Sequence, residues 1–225
     1  MSIGKTIVIV GHYGSGKTEF AANFALFHRD AGHDTTLADL DIVNPYFRSR
    51  ELQAQFEKRG IRVLSSNFET EHNLDTPALA AGLCACFQPG ATVNIVDVGG
   101  DPVGARVLAR YAHYLRNREY DMWMVINANR PQTAHPAETQ RLLEQIEQIS
   151  HLKINGLINN THMLDETAPE DLLRGDALVR TLSASCGIPV KYTVCTRRLI
   201  PQAERLHVSG TLFPISLFLR PSWLS

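Results

Sequence analysis

The chain has 225 residues, of which 44% are hydrophobic and 20% charged, and its formal net charge is −1. This composition is typical of a soluble globular protein, and the near-neutral balance excludes a global field that would favour nucleic acid or an acidic membrane. No apolar run approaches the roughly 20 residues of a membrane span, and no signal-peptide pattern opens the chain. We therefore expect a cytoplasmic protein that binds no nucleic acid and no membrane.

Cysteine and histidine usage gives no sign of a disulfide framework or of a dedicated metal site. The cysteines are Cys84, Cys86, Cys186 and Cys195, and their only close spacing is C-x-C, which is neither a zinc knuckle nor a redox C-x-x-C. The nine histidines contain no H-x-x-x-H pair. We expect buried free thiols in a reducing compartment.

Apolar runs alternate with helical patterns along the whole length. Predicted strands are 5–10, 34–39, 61–65, 91–97, 121–127, 153–159, 189–195 and 214–219, and the clearest predicted helices are 17–31, 104–116 and 136–151. Several strands are apolar on both faces, as is typical of a parallel sheet covered by helices on each side. The sequence thus predicts one α/β domain over 1–225, with three α/β/α layers around a mainly parallel sheet of seven or eight strands.

The segment between the first strand and the first helix fills every fixed position of the G-x-x-x-x-G-K-[ST] phosphate-binding loop. Glycines let such a loop turn successive N–H groups towards one phosphate chain, and the helix that follows adds the positive end of its dipole. Lysine supplies charge to the β- and γ-phosphates, and the final hydroxyl is a ligand for Mg²⁺. The candidate nucleotide-binding residues are Gly11, His12, Tyr13, Gly14, Ser15, Gly16, Lys17 and Thr18.

Acidic residues end two of the other predicted strands. Asp39 and Asp41 follow the second strand, and Asp97 ends the fourth, with Gly100 three residues later in a D-x-x-G pattern. Strand ends in such a sheet face the ligand, so these acids are candidates for Mg²⁺ and for positioning an attacking water. Gly100 can bring its N–H against a γ-phosphate.

Base recognition is less specific in the sequence. Asn127 and Asn129 end one predicted strand, and Asn159 and Asn160 end the next. An amide can read a purine edge, but asparagine is also a common turn residue, and each position alone fits either role. The absence of an N-K-x-D guanine signature favours ATP over GTP.

Together these motifs resemble the MinD/ParA/CobQ-CobB branch of SIMIBI-type phosphate-loop proteins. The resemblance covers most of the chain: residues 11–18, 39–44, 97–100, Gly-Leu-Ile-Asn-Asn ending at Asn160, and Ile200-Pro201. It is strongest to an uncharacterised group with G-H-Y-G-S-G-K-T-E and D-L-D-I-V-N-P-Y-F-R-S-R-E.

The resemblance implies a role for each candidate residue. Lys17 and Thr18 would hold phosphate and Mg²⁺, Asp39 and Asp97 would bind the metal through water, and Asp41 would orient the hydrolytic water. Lys17 and Asp41 are thus the candidate catalytic residues. Asn160 matches the asparagine that reads adenine. Members of the branch often form ATP-sandwich homodimers.

One position departs from that branch. MinD and ParA proteins carry a second lysine directly after the first glycine of the loop, and it reaches the partner's phosphates, whereas this chain has His12. A neutral imidazole does not replace a permanent ammonium at pH 7. Arg48 and Arg50 are either an alternative arginine finger or a solvated pair that starts a helix.

Two functions remain open at this level. The first is a switch ATPase whose segments 41–51 and 98–104 are ordered by the γ-phosphate and read by a protein partner. The second is an ATP-dependent small-molecule enzyme of the CobB or dethiobiotin-synthetase kind, with the polar segment 67–77 either lining an acceptor pocket or forming a surface loop. The C-terminal segment predicts a final strand, not an amphipathic membrane helix, because Pro214 and Pro221 bracket too few residues.

Overall fold

The computed structural model describes residues 5–41, 50–65, 76–88, 90–100, 102–116 and 119–218. Eight strands form one sheet. They are β1 (Thr6–Gly11), β2 (Thr35–Asp39), β3 (Ile61–Ser65), β4 (Val93–Asp97), β5 (Asp121–Ile126), β6 (Gly156–Asn159), β7 (Val190–Thr196) and β8 (Thr211–Ile215). All seven neighbouring pairs are parallel. The predicted parallel sheet is confirmed, with eight strands.

Helices connect the strands and cover both faces of the sheet. They are α1 (Lys17–Asp30), α2 (Arg50–Lys58), α3 (Thr76–Cys86), α4 (Pro102–Ala109), α5 (Ala112–Leu115), α6 (Pro136–Ser150), α7 (Pro169–Cys186) and α8 (Ile200–Leu206). One apolar cluster packs α4 to α7 against the sheet, and another packs α1, with Phe20 and Phe24 at its centre, against the opposite face. The central strands are buried along their whole length, which explains why their sequences are apolar on both sides.

The strand order places the ends of the motif-bearing strands together. The order is β3-β2-β4-β1-β5-β6-β7-β8, so strands β2 to β4 lie on one side of β1 and strands β5 to β8 on the other. Ligands of open α/β sheets bind at the carboxyl ends of the strands where the order changes direction. That point here is the end of β1, from which the glycine-rich loop leaves.

Two predicted elements differ from the structure by more than a few residues at one end. The predicted helix 104–116 is interrupted, because the amides of Arg110 and Tyr111 bond to carbonyls three residues back instead of four, which tightens the chain between α4 and α5. The last strand is Thr211–Ile215 instead of 214–219, and it includes Pro214. A proline is tolerated there because, among the strands that the structure describes, β8 is at the edge of the sheet and has β7 as its single neighbour.

The structure bears on the expectations of free thiols and of no membrane-spanning helix. All four thiols are free, with Cys86 and Cys195 buried and Cys84 and Cys186 half-buried. Within the described ranges, none of the helices combines the length and the apolar character needed to cross a bilayer.

Candidate phosphate-binding site

The loop between β1 and α1 is built around glycines with left-handed backbone. Gly16 immediately precedes α1 with a φ of 81°, and a Cβ there would lie 2.3 Å from Asn160 Nδ2. Only glycine fits both the conformation and the space. Phe20 N donates to Gly16 O at 3.0 Å, which starts the helix directly at the loop. The remaining first-turn amides are therefore oriented for an anion, as a phosphate loop requires.

The side chain of Lys17, the first residue of α1, lies against this loop beside Gly100. Its Nζ donates to His12 O at 3.3 Å, and it would be 2.8 Å from a Cβ at Gly100. Tyr13 N donates to Gly100 O at 3.2 Å, so the segment after β4 packs directly on the phosphate loop. The D-x-x-G glycine and the loop lysine thus lie next to each other.

Thr18 and Asp97 are in direct side-chain contact. Thr18 Oγ1 donates to Asp97 Oδ2 at 2.5 Å, and both residues are buried. Burial raises the pKa of Asp97 to about 6, although the Lys17 charge and the Thr18 hydroxyl each oppose the shift. A buried carboxylate of this kind needs a cation or further hydrogen-bond donors, because otherwise its charged form carries a large desolvation penalty.

Asp39 and Asp41 occupy the neighbouring strand end. Asp39 and Asp97 are paired in register across β2 and β4. Asp41 N donates to Asp39 Oδ1 at 2.9 Å, a local bond that turns the chain after β2. Asp41 is buried yet lines the cleft described below, and a Cβ at Gly99 would be 3.2 Å from Asp41 Oδ1. The three acids therefore converge on one side of the loop.

These residues have the donor chemistry that Mg²⁺ requires. Among the described residues, Asp97 Oδ1 is buried and accepts no hydrogen bond, and Ser15 Oγ is in the same situation on the loop. Hydroxyl and carboxylate oxygens are the ligands that Mg²⁺ takes, usually with several waters retained. The set formed by Thr18, Asp39 and Asp97 fits this hard cation.

A cleft of about 190 Å³ extends from the loop towards the ends of β7 and β8. Its phosphate end is lined by Lys17, Thr18 and Asp41. Its other end is largely apolar, with Leu164, Val194, Cys195, Ile215 and Leu217 on its walls. A polar, charged end that continues into an apolar one matches the division of a nucleotide into phosphates and base.

Asn160 joins the two ends. It is buried, lines the cleft, and donates from Nδ2 to Ser15 O at 2.8 Å. The other asparagines turn away from the cleft: Asn127 and Asn129 organise the turn after β5, and Asn159 Nδ2 donates to Leu172 O at 3.3 Å. Of the four asparagines left open by the sequence, Asn160 is the one that lines the cleft among the described residues.

Two charged or titratable side chains at the cleft were not predicted from the sequence. Arg130 Nε donates to Gly14 O at 3.0 Å, so its guanidinium lies over the outside of the phosphate loop. His162 lies beside Gly16, and burial, followed by the Arg130 charge, lowers its pKa to about 4. Both follow strands that end at this edge, β5 and β6, and that position is the one signal that could have identified them.

His12 turns back onto its own loop. Its Nδ1 is 2.8 Å from Tyr13 O, a distance at which the ring N–H donates to that carbonyl. Arg48 and the segment 67–75 lie outside the described residues, as does the Arg50 side chain. The arginine-finger and acceptor-loop hypotheses for these segments therefore remain predictions.

No known protein family and no curated protein matches the chain. Solved structures of FtsY do. The chloroplast FtsY of Physcomitrella patens matches with a TM-score of 0.56 and 18% identity, over 86% of this chain and 59% of that one. The cell division protein FtsY of Thermotoga maritima matches with a TM-score of 0.50 and 20% identity, over 84% and 62%.

The signal recognition particle receptor FtsY of Elizabethkingia anophelis, in complex with GDP, matches with a TM-score of 0.50 and 20% identity, over 86% of this chain and 58% of that one. This chain spans about three fifths of the length of these structures. At such identities the similarity establishes the fold: one parallel sheet between helices, in the three-layer α/β arrangement of phosphate-loop proteins.

Proposed function

We propose that this protein binds and hydrolyses ATP with Mg²⁺ and acts as a nucleotide-driven switch on a protein partner. The observation that supports this most strongly is the Thr18–Asp97 contact directly beside Lys17. Phosphate-loop enzymes hold Mg²⁺ between a loop hydroxyl and a strand-end aspartate. In this chain, both groups are already in contact.

The chemistry of the site is positioning and charge neutralisation. Loop amides and Lys17 would hold the β- and γ-phosphates, and Asp41 would orient the attacking water in line with the γ-phosphate. Mg²⁺, when bound, would neutralise charge on the phosphate oxygens. Gly100 packs on the loop through Tyr13. Loss of the γ-phosphate would therefore change the contacts of the segment after β4.

ATP is the nucleotide that we favour. Guanine recognition commonly uses the carboxylate of an N-K-x-D sequence, whereas the chain from the end of β6 reads Asn159-Asn160-Thr161-His162. His162 is neutral at pH 7 and cannot replace that carboxylate. GTP is the second candidate, because a matching FtsY structure is a complex with GDP. Competition of ATP and GTP for a fluorescent adenine nucleotide would separate the two.

The decisive experiment is turnover of ATP with Mg²⁺ by the wild type and by Lys17→Ala, with size-exclusion chromatography in ATP and in ADP. Slow hydrolysis that is lost in Lys17→Ala supports the proposal. Homodimerisation in ATP would support the MinD/ParA-like branch, although His12 is turned onto its own loop and would have to move to act across a dimer. Absence of nucleotide binding by the wild type would refute the proposal.

A small-molecule enzyme is the alternative that a specific observation favours. An open hollow of about 530 Å³ borders His12 and Gly100, beside the expected γ-phosphate position, and Glu138, Arg141 and Gln145 of α6 line it. An acceptor bound there could receive a phosphoryl group and be activated for bond formation. Metabolites that accelerate ADP release without any added protein would support this alternative, and Arg141→Gln should abolish the acceleration.

A further inference from the structure

Leu164 combines an unfavourable backbone, an exposed apolar side chain and a position in the cleft. Its φ is 56°, a left-handed backbone that is unfavourable for a bulky side chain. Its side chain is apolar, and yet the residue is 44% exposed. It also lines the apolar end of the nucleotide cleft. A strained backbone that presents an exposed apolar side chain to a cleft is the pattern expected of a ligand contact.

The surrounding segment holds Leu164 in this conformation. Thr167 Oγ1 donates to Leu164 O at 2.5 Å and accepts from Met163 N at 2.9 Å, and Leu164 N lies 3.4 Å from His162 Nδ1. Arg198 Nη2 donates to Asp165 O at 2.8 Å and to Thr167 O at 3.3 Å. These bonds join the segment after β6 to the segment after β7. The conformation is therefore imposed from several directions.

Local chain geometry does not account for Leu164 as it does for two other residues. Within the described parts of the chain, the other non-glycine residues with positive φ are His151 and His207. Both terminate helices, α6 and α8, where left-handed backbone is usual. Leu164 begins a single 3₁₀ turn, Leu164–Glu166, where no helix end requires it.

We propose that Leu164 is the apolar wall on which the purine ring of the bound nucleotide packs. This inference rests on the nucleotide binding proposed above. Val194 and Cys195 line the same end of the cleft from β7, and Ile215 and Leu217 do so from β8, so the ring is received between apolar surfaces. The bound ring covers the exposed side chain, which offsets the strain of its backbone.

The test compares affinity for Mg²⁺–ATP with affinity for Mg²⁺–tripolyphosphate, which lacks a base. In Leu164→Gly, the left-handed backbone becomes unstrained, so we expect a melting temperature within about 3 °C of the wild type. ATP should bind about tenfold more weakly, and tripolyphosphate should bind as before. Leu164→Met restores an apolar side chain and should recover most of the ATP affinity.

His151→Gly is the matched control, because it relieves the same kind of strain at the end of α6 and should leave both affinities unchanged. If Leu164→Gly melts more than about 5 °C lower than the wild type, Leu164→Asn replaces it, since asparagine also accepts this backbone. Wild-type ATP affinity in Leu164→Gly, or in Leu164→Asn where it is the replacement, overturns this inference alone. Equal losses for ATP and tripolyphosphate also overturn it. A wild type that binds tripolyphosphate but neither ATP nor GTP overturns both this inference and the nucleotide proposal.

Discussion

Thr18 Oγ1 donates a hydrogen bond of 2.5 Å to Asp97 Oδ2, although the two residues are 79 positions apart in the chain. Thr18 is in the first turn of α1, and Asp97 is the last residue of β4, which lies directly beside β1. The contact therefore depends on the pairing of β1 with β4 and on the start of α1 at Lys17. It connects the loop that would hold phosphate to the carboxylate that would face the metal.

The first prediction concerns the pH dependence of stability. The pKa of Asp97 is about 6 in the folded chain and 3.8 ordinarily, so between these values the folded state binds more protons than the unfolded state. The Asp97 contribution to the free energy of unfolding must therefore fall as pH rises through this window. Urea unfolding at each pH gives the free energy of unfolding of Asp97→Asn and of the nucleotide-free wild type. The difference in favour of Asp97→Asn should grow from pH 4 to pH 6 and stay constant above pH 6.

Asp34→Asn is the control for that series, because the Asp34 side chain is 85% exposed. A stability difference between Asp97→Asn and the wild type that does not change with pH would contradict the assignment. Asp97→Asn should also reduce Mg²⁺-dependent ATP turnover by at least about a hundredfold, since it removes the carboxylate charge that would hold Mg²⁺ at the triphosphate.

The second prediction tests the packing of the segment after β4 on the phosphate loop. A Cβ at Gly100 would lie 2.5 Å from Tyr13 N and 2.8 Å from Lys17 Nζ. Gly100→Ala should therefore displace the loop and weaken ATP binding by about tenfold or more in isothermal titration calorimetry. Gly90→Ala should bind normally, because a Cβ there has no neighbour within 4 Å. Equal affinities in the two variants would show that the loop tolerates the displacement.

The third prediction concerns Arg130. The Arg130 charge, after burial, lowers the pKa of His162, so Arg130→Gln should raise that pKa from about 4 while leaving it below 6.5. The shift is measurable from the His162 ring protons by NMR. Arg130→Gln should also weaken ATP binding, because a guanidinium over the loop attracts phosphate. Arg205→Gln, on the exposed surface of α8, should change neither quantity.

The fourth prediction separates two roles of Asn160. Its Nδ2 donates to Ser15 O at 2.8 Å, which supports the phosphate loop, and the residue also lines the cleft. Asn160→Ala should weaken binding of both Mg²⁺–ATP and Mg²⁺–tripolyphosphate, with the larger loss for ATP if the amide also contacts the base. Unchanged tripolyphosphate affinity would contradict the supporting role.

The sequence alone predicted the parallel sheet, the phosphate loop and the strand-end acids that converge on it. These features depend on strand ends meeting at one edge, which follows from topology once the strands are recognised. Arg130, His162 and Leu164 were missed because the turns after β5 and β6 decide which side chains reach the cleft. The backbone angle of Leu164 is fixed by bonds from Thr167, and its sequence neighbours give no sign of it. The helix interruption after Ala109 was also missed, because the apolar spacing of the sequence continues across it.

The register of the sheet has a kinetic consequence. Ile9, Asp97, Asp39 and Ser65 form one row across β1, β4, β2 and β3. A slip of β2 by one residue would turn Asp39 to the opposite face, so the acids converge only in the native alignment. This pairing joins segments far apart in the chain, and such contacts form slowly. During refolding, the ability to bind nucleotide should therefore appear later than helical circular dichroism, as a reporter of correct strand alignment.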